Sequence, residues 1–231
     1  MADSLVRYEQ ADSVAIVTMD DGKVNALSPA LIAELETTFD RAEKQAKAVV
    51  LTGRKDRFSA GFDLRVLMSG PKPATELLTA GGALFLRLYE LSKPLVIACT
   101  GHALAGGVLL AATGDTRIGA RGDYKLGLNE VQKGMPVPTL AFELARDRLD
   151  PREITASVVQ AKIYNPDEAA SAGWLDRVVD EAELADAALA EAKRLAQMPG
   201  GAYGMSKKSL RAGTIERIRS GFAKEIAQLG G

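Results

Sequence analysis

Cysteine and histidine are almost missing from this sequence of 231 residues, which holds one of each, Cys99 and His102. A single cysteine excludes an intramolecular disulfide, and its place in the apolar run that begins at Leu95 favours a buried thiol over a nucleophile. One histidine leaves a His-based metal site without further ligands, so no metal is expected. Because no nucleophile elbow lies near His102, a Ser-His-Asp triad is not indicated, and we interpret this residue as structural or pocket-lining.

The sequence also lacks an excess of charge of either sign and lacks long apolar runs. The chain has 29 Lys and Arg residues against 30 Asp and Glu residues, and no block of basic residues stands out. Binding to nucleic acid or to an anionic membrane therefore has no electrostatic support. No run reaches membrane-spanning length, and the N-terminus lacks the basic and apolar regions of a secretory signal. We expect a cytoplasmic globular protein.

Apolar spacing predicts strands that alternate with helices, which is typical of an α/β fold with a parallel sheet. Strands are predicted at residues 5–10, 13–19, 48–52, 95–100, 116–119 and 175–179. Helices are predicted at residues 29–46 behind the Ser28 cap, 74–91, 107–113, 140–146, 151–160, 166–172, 181–197, 202–212 and 214–229. The break at Met198-Pro199-Gly200-Gly201 divides the chain into a core at 1–197 and a helical segment at 198–231.

Three short segments carry the chemistry. They read Phe58-Ser-Ala-Gly-Phe-Asp-Leu64, Gly101-His-Ala-Leu-Ala-Gly-Gly-Val-Leu-Leu110 and Gly127-Leu-Asn-Glu130. The two Gly-rich segments each lie between a strand-like and a helix-like run, where backbone N–H groups are left without partners. Two such donors facing one carbonyl would form an oxyanion hole, and a nearby carboxylate could take the adjacent proton. This pattern is typical of an enolate-forming enzyme.

In order and spacing the three segments resemble the signature segments of the crotonase (enoyl-CoA hydratase/isomerase) superfamily, over residues 14–179. The resemblance implies a spiral of ββα units with a C-terminal helical extension, in which residues 198–231 would form a trimerisation segment. It also implies a homotrimer or a dimer of trimers. The substrate would be an acyl-CoA thioester, so coenzyme A would be part of the substrate and no separate cofactor is expected.

The resemblance also implies roles for individual residues. The backbone N–H groups of Phe62 and Gly106 would be the oxyanion-hole donors, and Glu130 would be the acid/base. Burial in its apolar surroundings would raise the pKa of Glu130 towards a range useful for proton transfer. Asp63 is predicted to fix its loop through local hydrogen bonds rather than to act as an acid or base.

Other positions that match the family pattern would border the substrate. Lys23, Val24 and Ala26 would lie beside the nucleotide, and Ala60 would offer its carbonyl to the adenine. Arg65, Lys207, Lys208 and Lys224 are possible phosphate partners, each more simply read as a solvated surface cation. The predicted substrate-binding residues are Lys23, Val24, Ala26, Ala60, Gly61, Asp63, Leu64, Gly107 and Leu109.

Leu109 is where the chain departs from the hydratases, which carry a second glutamate at this position. A leucine can neither hold nor activate water, whereas a 1,3-proton shift needs only one base. The pattern of Leu109 with Glu130 resembles the Δ3,Δ2-enoyl-CoA isomerases more closely. The alternatives are a hydratase or another crotonase-fold lyase or hydrolase, and, in another class, a non-catalytic acyl-CoA-binding scaffold.

Overall fold

A computed structural model describes residues 4–229. The first three residues of the predicted core (1–197) and the last two of the predicted helical segment (198–231) lie outside the described residues. The strands are β1 (Val6–Ala11), β2 (Val14–Met19), β3 (Ala48–Thr52), β4 (Asp56–Ser59), β5 (Leu95–Cys99), β6 (Gly101–Leu104), β7 (Thr116–Ala120), β8 (Leu126–Gly127) and β9 (Arg177–Val179). The helices are α1 (Pro29–Gln45), α2 (Leu64–Leu67), α3 (Pro71–Glu90), α4 (Gly106–Ala112), α5 (Thr139–Arg148), α6 (Ile154–Val158), α7 (Pro166–Ala172), α8 (Leu184–Leu195) and α9 (Gly200–Leu229).

The larger sheet has six strands in the order β1-β2-β3-β5-β7-β9. Only the β1–β2 hairpin is antiparallel, and each following neighbour pairs in parallel. β3 and β5 lie inside the sheet and are buried nearly throughout, which explains why their sequences are continuous apolar runs. The predicted α/β class with a mainly parallel sheet is confirmed.

A second parallel sheet of three strands has the order β4-β6-β8. The chain therefore repeats one pattern three times: β3, β5 and β7 each enter the large sheet, and the next strand, β4, β6 or β8, enters the small one. A helix follows each pair of strands. This repetition is the predicted spiral of ββα units, and it leaves the three strands of the small sheet side by side and pointing the same way.

Local sequence signals account for the ends of some helices. Ser28 accepts a hydrogen bond from the Leu31 N–H and Pro29 follows at the first helical position of α1. Asn165 forms a capping box with Glu168 at the start of α7, and Gly173 ends that helix in the left-handed conformation. Of the described residues, no helix is both long and apolar enough to cross a bilayer.

The C-terminal segment corrects one prediction. Instead of two helices at 202–212 and 214–229, the structure has a single helix, α9, that begins at Gly200 and runs through Gly213. A glycine inside a helix lowers the stability of the helix by about 1 kcal/mol relative to alanine, so in the sequence Gly213 indicates a break between two helices. Burial of Thr214, Ile215 and Ile218 just after it offsets that cost, because this face of α9 packs along α3 and α5.

Candidate active site

The three motif segments leave the small sheet at one edge. Phe62 lies beyond the end of β4, Gly106 beyond the end of β6, and Glu130 beyond the end of β8. These strands are neighbours and run in parallel, so their carboxyl ends meet. A hydrogen bond from the Ala105 N–H to the Gly127 carbonyl, 2.9 Å long, ties the second segment to the third. Ligands of parallel sheets bind at this kind of edge.

The first two segments touch through glycines. Gly61 has φ +86°, and its missing Cβ would meet the backbone of Leu104 and Gly106. A Cβ on Gly107 would come even closer to the Ser59 carbonyl oxygen, at 2.1 Å. Only glycine allows two backbone segments to approach in this way. The contact brings Phe62, which follows Gly61, beside Gly106.

The N–H groups of Phe62 and Gly106 are available to a ligand. Leu27 forms a parallel bridge with Phe62, in which the Leu27 N–H donates to the Gly61 carbonyl over 2.8 Å and the Asp63 N–H donates to the Leu27 carbonyl over 3.2 Å. The Phe62 N–H between them therefore points away from Leu27. Gly106 is the first residue of α4, where an N–H has no acceptor within the helix. Within the described part of the chain neither N–H donates a hydrogen bond.

Three residues to which the sequence assigned no role hold this arrangement: Asn25, Ser59 and Ala105. Asn25 is fully buried at φ +50°, and its amide donates to the Met19 and Phe58 carbonyls. Ser59 donates to the Asn25 carbonyl and accepts from the Gly61 N–H. Ala105 has φ 51°, a strained value for a residue with a side chain, and it turns the chain from β6 into α4. Of these three roles, the sequence offered a signal for Asn25, because an asparagine in a turn after a glycine often adopts a positive φ.

Glu130 lies largely buried just after β8. Its Oε2 atom has no hydrogen-bond partner among the described residues, and neither has the Oδ1 atom of the adjacent Asn129. Burial raises the pKa of Glu130, an effect that neighbouring backbone N–H groups and the charge of Lys133 partly oppose. Buried carboxylate oxygens are normally paired. An unpaired one with a raised pKa is a candidate proton acceptor.

Leu109 is one turn into α4 and is 3% exposed. Its N–H donates to the Ala105 carbonyl, so its place relative to Gly106 is fixed by the first turn of the helix. The position that carries the second glutamate in hydratases is therefore a buried apolar side chain in this protein. It offers no polar group to a water molecule.

Asp63 does not face the site as a free carboxylate. Its Oδ1 atom accepts from the Arg65 N–H and caps α2, and its Oδ2 atom accepts from the Arg65 guanidinium over 3.0 Å. These hydrogen bonds lower the pKa of Asp63. Leu64 follows it and is 47% exposed at the rim of the site. Asp63 therefore fixes the turn that carries Phe62.

The residues predicted to border the nucleotide lie along the first motif segment. The Ala60 N–H donates to the Val24 carbonyl over 3.0 Å, which places Val24 beside Ala60. Ala26 directly precedes Leu27 in the sequence. Lys23 is exposed, and its carbonyl accepts a hydrogen bond from the Arg54 side chain. Lys23, Val24, Ala26 and Ala60 thus form one partly exposed strip next to Gly61.

The candidate phosphate partners separate into two groups. Lys208 and Lys224 are exposed on α9, and Arg65 is bound to Asp63. Lys207 is buried, with its ammonium donating to the Asp115 carboxylate over 2.8 Å and to the Lys93 carbonyl. Burial lowers the pKa of Lys207 to about 8. The suggestion that Lys207 binds phosphate is therefore wrong, because its ammonium is already paired inside the protein.

His102 and Cys99 have structural positions. The Nδ1 atom of His102 accepts from the Lys125 N–H over 3.0 Å, and its ring meets the Tyr124 ring edge-on. Cys99 is buried, and desolvation raises the pKa of its thiol to about 12, which argues against a nucleophile. Among residues 4–229 no group of three His, Cys, Asp or Glu side chains comes together as metal ligands.

Comparison with known proteins gives one consistent family. A family model described as enoyl-CoA hydratase/isomerase matches residues 9–229. Human mitochondrial enoyl-CoA delta isomerase 1 is 32% identical over 220 residues, which cover 93% of this chain and 72% of the human protein. Carnitinyl-CoA dehydratase from Proteus mirabilis is 28% identical over 213 residues, which cover 91% of this chain and 81% of the dehydratase.

Solved structures agree with the fold. An enoyl-CoA hydratase/isomerase family protein from Pseudomonas syringae has a TM-score of 0.95 and 38% identity, and the match covers 97% of this chain and 98% of that one. The Mycobacterium tuberculosis enoyl-CoA isomerase has a TM-score of 0.92 and 36% identity, and the match covers 98% of each chain.

Proposed function

The chain belongs to the enoyl-CoA hydratase/isomerase family of acyl-CoA enzymes, and we propose that it moves the double bond of a 3-enoyl-CoA to the 2 position. In this reaction Glu130 takes a proton from C2 of the acyl group. Negative charge then collects on the thioester oxygen, which accepts hydrogen bonds from the Phe62 and Gly106 N–H groups. The same carboxyl group returns the proton at C4, so no atom is gained or lost.

One observation supports this proposal above the rest. The site combines a buried, unpaired carboxylate oxygen on Glu130 with a buried leucine at position 109. Hydration needs a water molecule that is held and activated, and two carboxylates do this in hydratases. A proton shift from C2 to C4 needs one base and two N–H donors to the thioester oxygen. Each N–H donor typically stabilises the transition state by about 3–4 kcal/mol.

Two relatives favour different reactions. The human relative is named an isomerase, which agrees with the proposal, and the Proteus relative is named a dehydratase. Addition or removal of water across the double bond is therefore the second candidate. A scaffold that only binds acyl-CoA is the third, and it gives no reason for an unpaired buried carboxylate at the same sheet edge as two N–H groups that donate to no other described residue.

The test is product analysis with two substrates of equal chain length, a cis-3-enoyl-CoA and a trans-2-enoyl-CoA. We expect conversion of the first to the trans-2 isomer and little hydration of the second. Glu130→Gln should abolish turnover while folding and CoA binding persist, because the amide keeps the shape but cannot accept a proton. Glu9→Gln, on an exposed strand residue, is the matched control. A Glu130→Gln variant with a near wild-type rate would remove Glu130 from the mechanism.

The proposal extends to assembly and location. Met205 and Leu210 are 69% and 82% exposed on α9. Large apolar side chains on one helix are common where copies of a chain meet. We propose a homotrimer or a dimer of trimers that uses residues 198–231, in the cytoplasm, with the acyl-CoA thioester as its only non-protein partner.

A further inference from the structure

The last described turns of α9 contact two helices at once. Glu225 Oε1 accepts hydrogen bonds from the Thr139 N–H over 2.8 Å and from the Thr139 hydroxyl over 2.5 Å, at the first residue of α5. Gly221, one turn earlier on the same face, lies directly against the Thr139 side chain. The Phe222 ring lies on Gly82 of α3, where a Cβ would overlap it. We name residues 221–225 the C-terminal clasp.

On α3 the clasp lies beside the support of the oxyanion-hole segment. Gly81, next to Gly82, receives the ring of Phe62, which also lies 5.7 Å from the Phe85 ring between centroids. Two glycines inside a helix cost about 1 kcal/mol each. Their presence is explained by these two close ring contacts. The ring of Phe62 and the ring of Phe222 thus occupy neighbouring positions on one helix.

On α5 the clasp secures the segment that begins at Glu130. The Glu130 carbonyl accepts from the Lys133 and Met135 N–H groups, and the segment then runs to Thr139. The residue before α5 is Pro138, which offers no side-chain cap. Glu225 supplies the missing acceptor from a distant part of the chain. Its second oxygen, Oε2, is buried and has no hydrogen-bond partner among the described residues.

We propose that Glu225 and Phe222 are positioning residues, which set the Glu130 carboxylate relative to the Phe62 and Gly106 N–H groups. This inference rests on the proposed function. The clasp reaches one side of the site through Gly82 and the other through Thr139, so one short stretch of α9 touches both supports. Loss of the clasp should let the base move relative to the oxyanion hole. A displacement of about 1 Å can cost on the order of 10²-fold in rate.

The experiment compares Glu225→Ala and Phe222→Ala with Glu216→Ala, which removes a carboxylate from an exposed residue of the same helix. We expect both clasp variants to lower kcat about 10²-fold with a much smaller change in KM. Glu225→Gln should recover most of the rate, because its amide oxygen still accepts from Thr139. The lower inflection of the kcat/KM pH profile should move towards the ordinary value of glutamate in Glu225→Ala, because Glu130 becomes more solvated.

Amide hydrogen exchange gives a readout that does not depend on activity. Protection of residues 131–139 should fall in Glu225→Ala and stay unchanged in Glu216→Ala. Unchanged exchange there, or a kcat within about twofold of wild type, would overturn the inference, and so would a loss of protection that extends evenly through the six-stranded sheet. Wild-type protein without isomerase activity would refute the proposed function, while the exchange measurement would still decide whether the clasp holds the segment.

Discussion

Gly61 and Gly106 lie so close together that a Cβ atom on Gly61 would stand 2.8 Å from the Gly106 nitrogen. This contact joins the segment that carries the Phe62 N–H to the helix that carries the Gly106 N–H. Both donors belong to the backbone, so no side chain can be exchanged to remove them. Substitution of the glycines is therefore the way to test the proposed oxyanion hole by mutation.

Gly61→Ala should lower kcat by about 10²–10³-fold, the typical effect of losing one oxyanion-hole donor. The added methyl group pushes the Gly106 nitrogen from its place. Gly22→Ala is the matched control, because Gly22 also has a positive φ, +71°, but no atom within 4 Å of its Cβ position. It shares the backbone strain without the displacement. Steady-state assays compare the two variants. If both lost the same activity, backbone strain rather than displacement of the Gly106 nitrogen would explain the loss in Gly61→Ala.

The pH dependence of the wild type should report Glu130. Because burial raises its pKa, the carboxylate is protonated at a higher pH than an ordinary glutamate, whose pKa is about 4.3. A base must be ionised to act, so kcat/KM should fall with falling pH below an inflection that lies above 4.3. Initial rates across the acid range measure it, with circular dichroism to verify folding. An inflection at or below 4.3 would contradict the burial argument.

The same burial makes a prediction about stability. A carboxyl group whose folded-state pKa is raised favours folding when protonated, so its ionisation destabilises the protein as pH rises above the unfolded-state value. Glu130→Gln should therefore gain about 0.5–2 kcal/mol at pH 8, as substitutions at strained active sites often do. The gain should shrink towards about pH 4, below the unfolded-state pKa of about 4.3. Urea unfolding at both pH values tests this, and a gain that is the same at both would refute it.

Much of the fold was predictable because local signals and burial agree. The strand at residues 48–52 and the helix at 166–172 have the same bounds in the structure as in the prediction. No strand was predicted at β4, β6 or β8, because these are short and take their stability from partners far along the chain. The site follows the same rule: its glycines and Glu130 form motifs, whereas Glu225 and Phe222 reach it only through tertiary packing.

Assembly can be tested on α9. Light scattering at micromolar concentration should give the mass of a trimer or a hexamer, and a sharp monomer peak would overturn that expectation. Leu210→Asp should shift the distribution towards monomer, because it places a charge on a side chain that is 82% exposed in the single chain. Ser209→Asp adds the same charge to an exposed neighbour at a different angle around the helix, and it should shift the distribution less.

Reaction type is decided at Leu109. Isomerisation should exceed hydration by at least about two orders of magnitude in kcat/KM, since a lost acid/base contribution is typically worth about 10²–10⁴-fold. With Leu109 buried and apolar, a water molecule has one carboxylate partner instead of two, whereas transfer of a proton from C2 to C4 loses nothing. Leu109→Glu should raise hydration, and the new buried charge should lower the stability of the fold by several kcal/mol.

Leu109→Met is the control for Leu109→Glu. It replaces the leucine with a side chain of similar volume and no charge, so it separates the effect of a new carboxylate from the effect of losing the leucine. It should leave both rates near wild type. Both activities need measuring on acyl-CoA substrates of matched chain length, together with the melting temperature of each variant. Comparable hydratase and isomerase rates in the wild type would defeat the one-base argument, and the enzyme would then belong with the hydratases despite Leu109. The ratio of the two rates is decisive because one base is enough to move a proton, whereas hydratases activate water with two carboxylates.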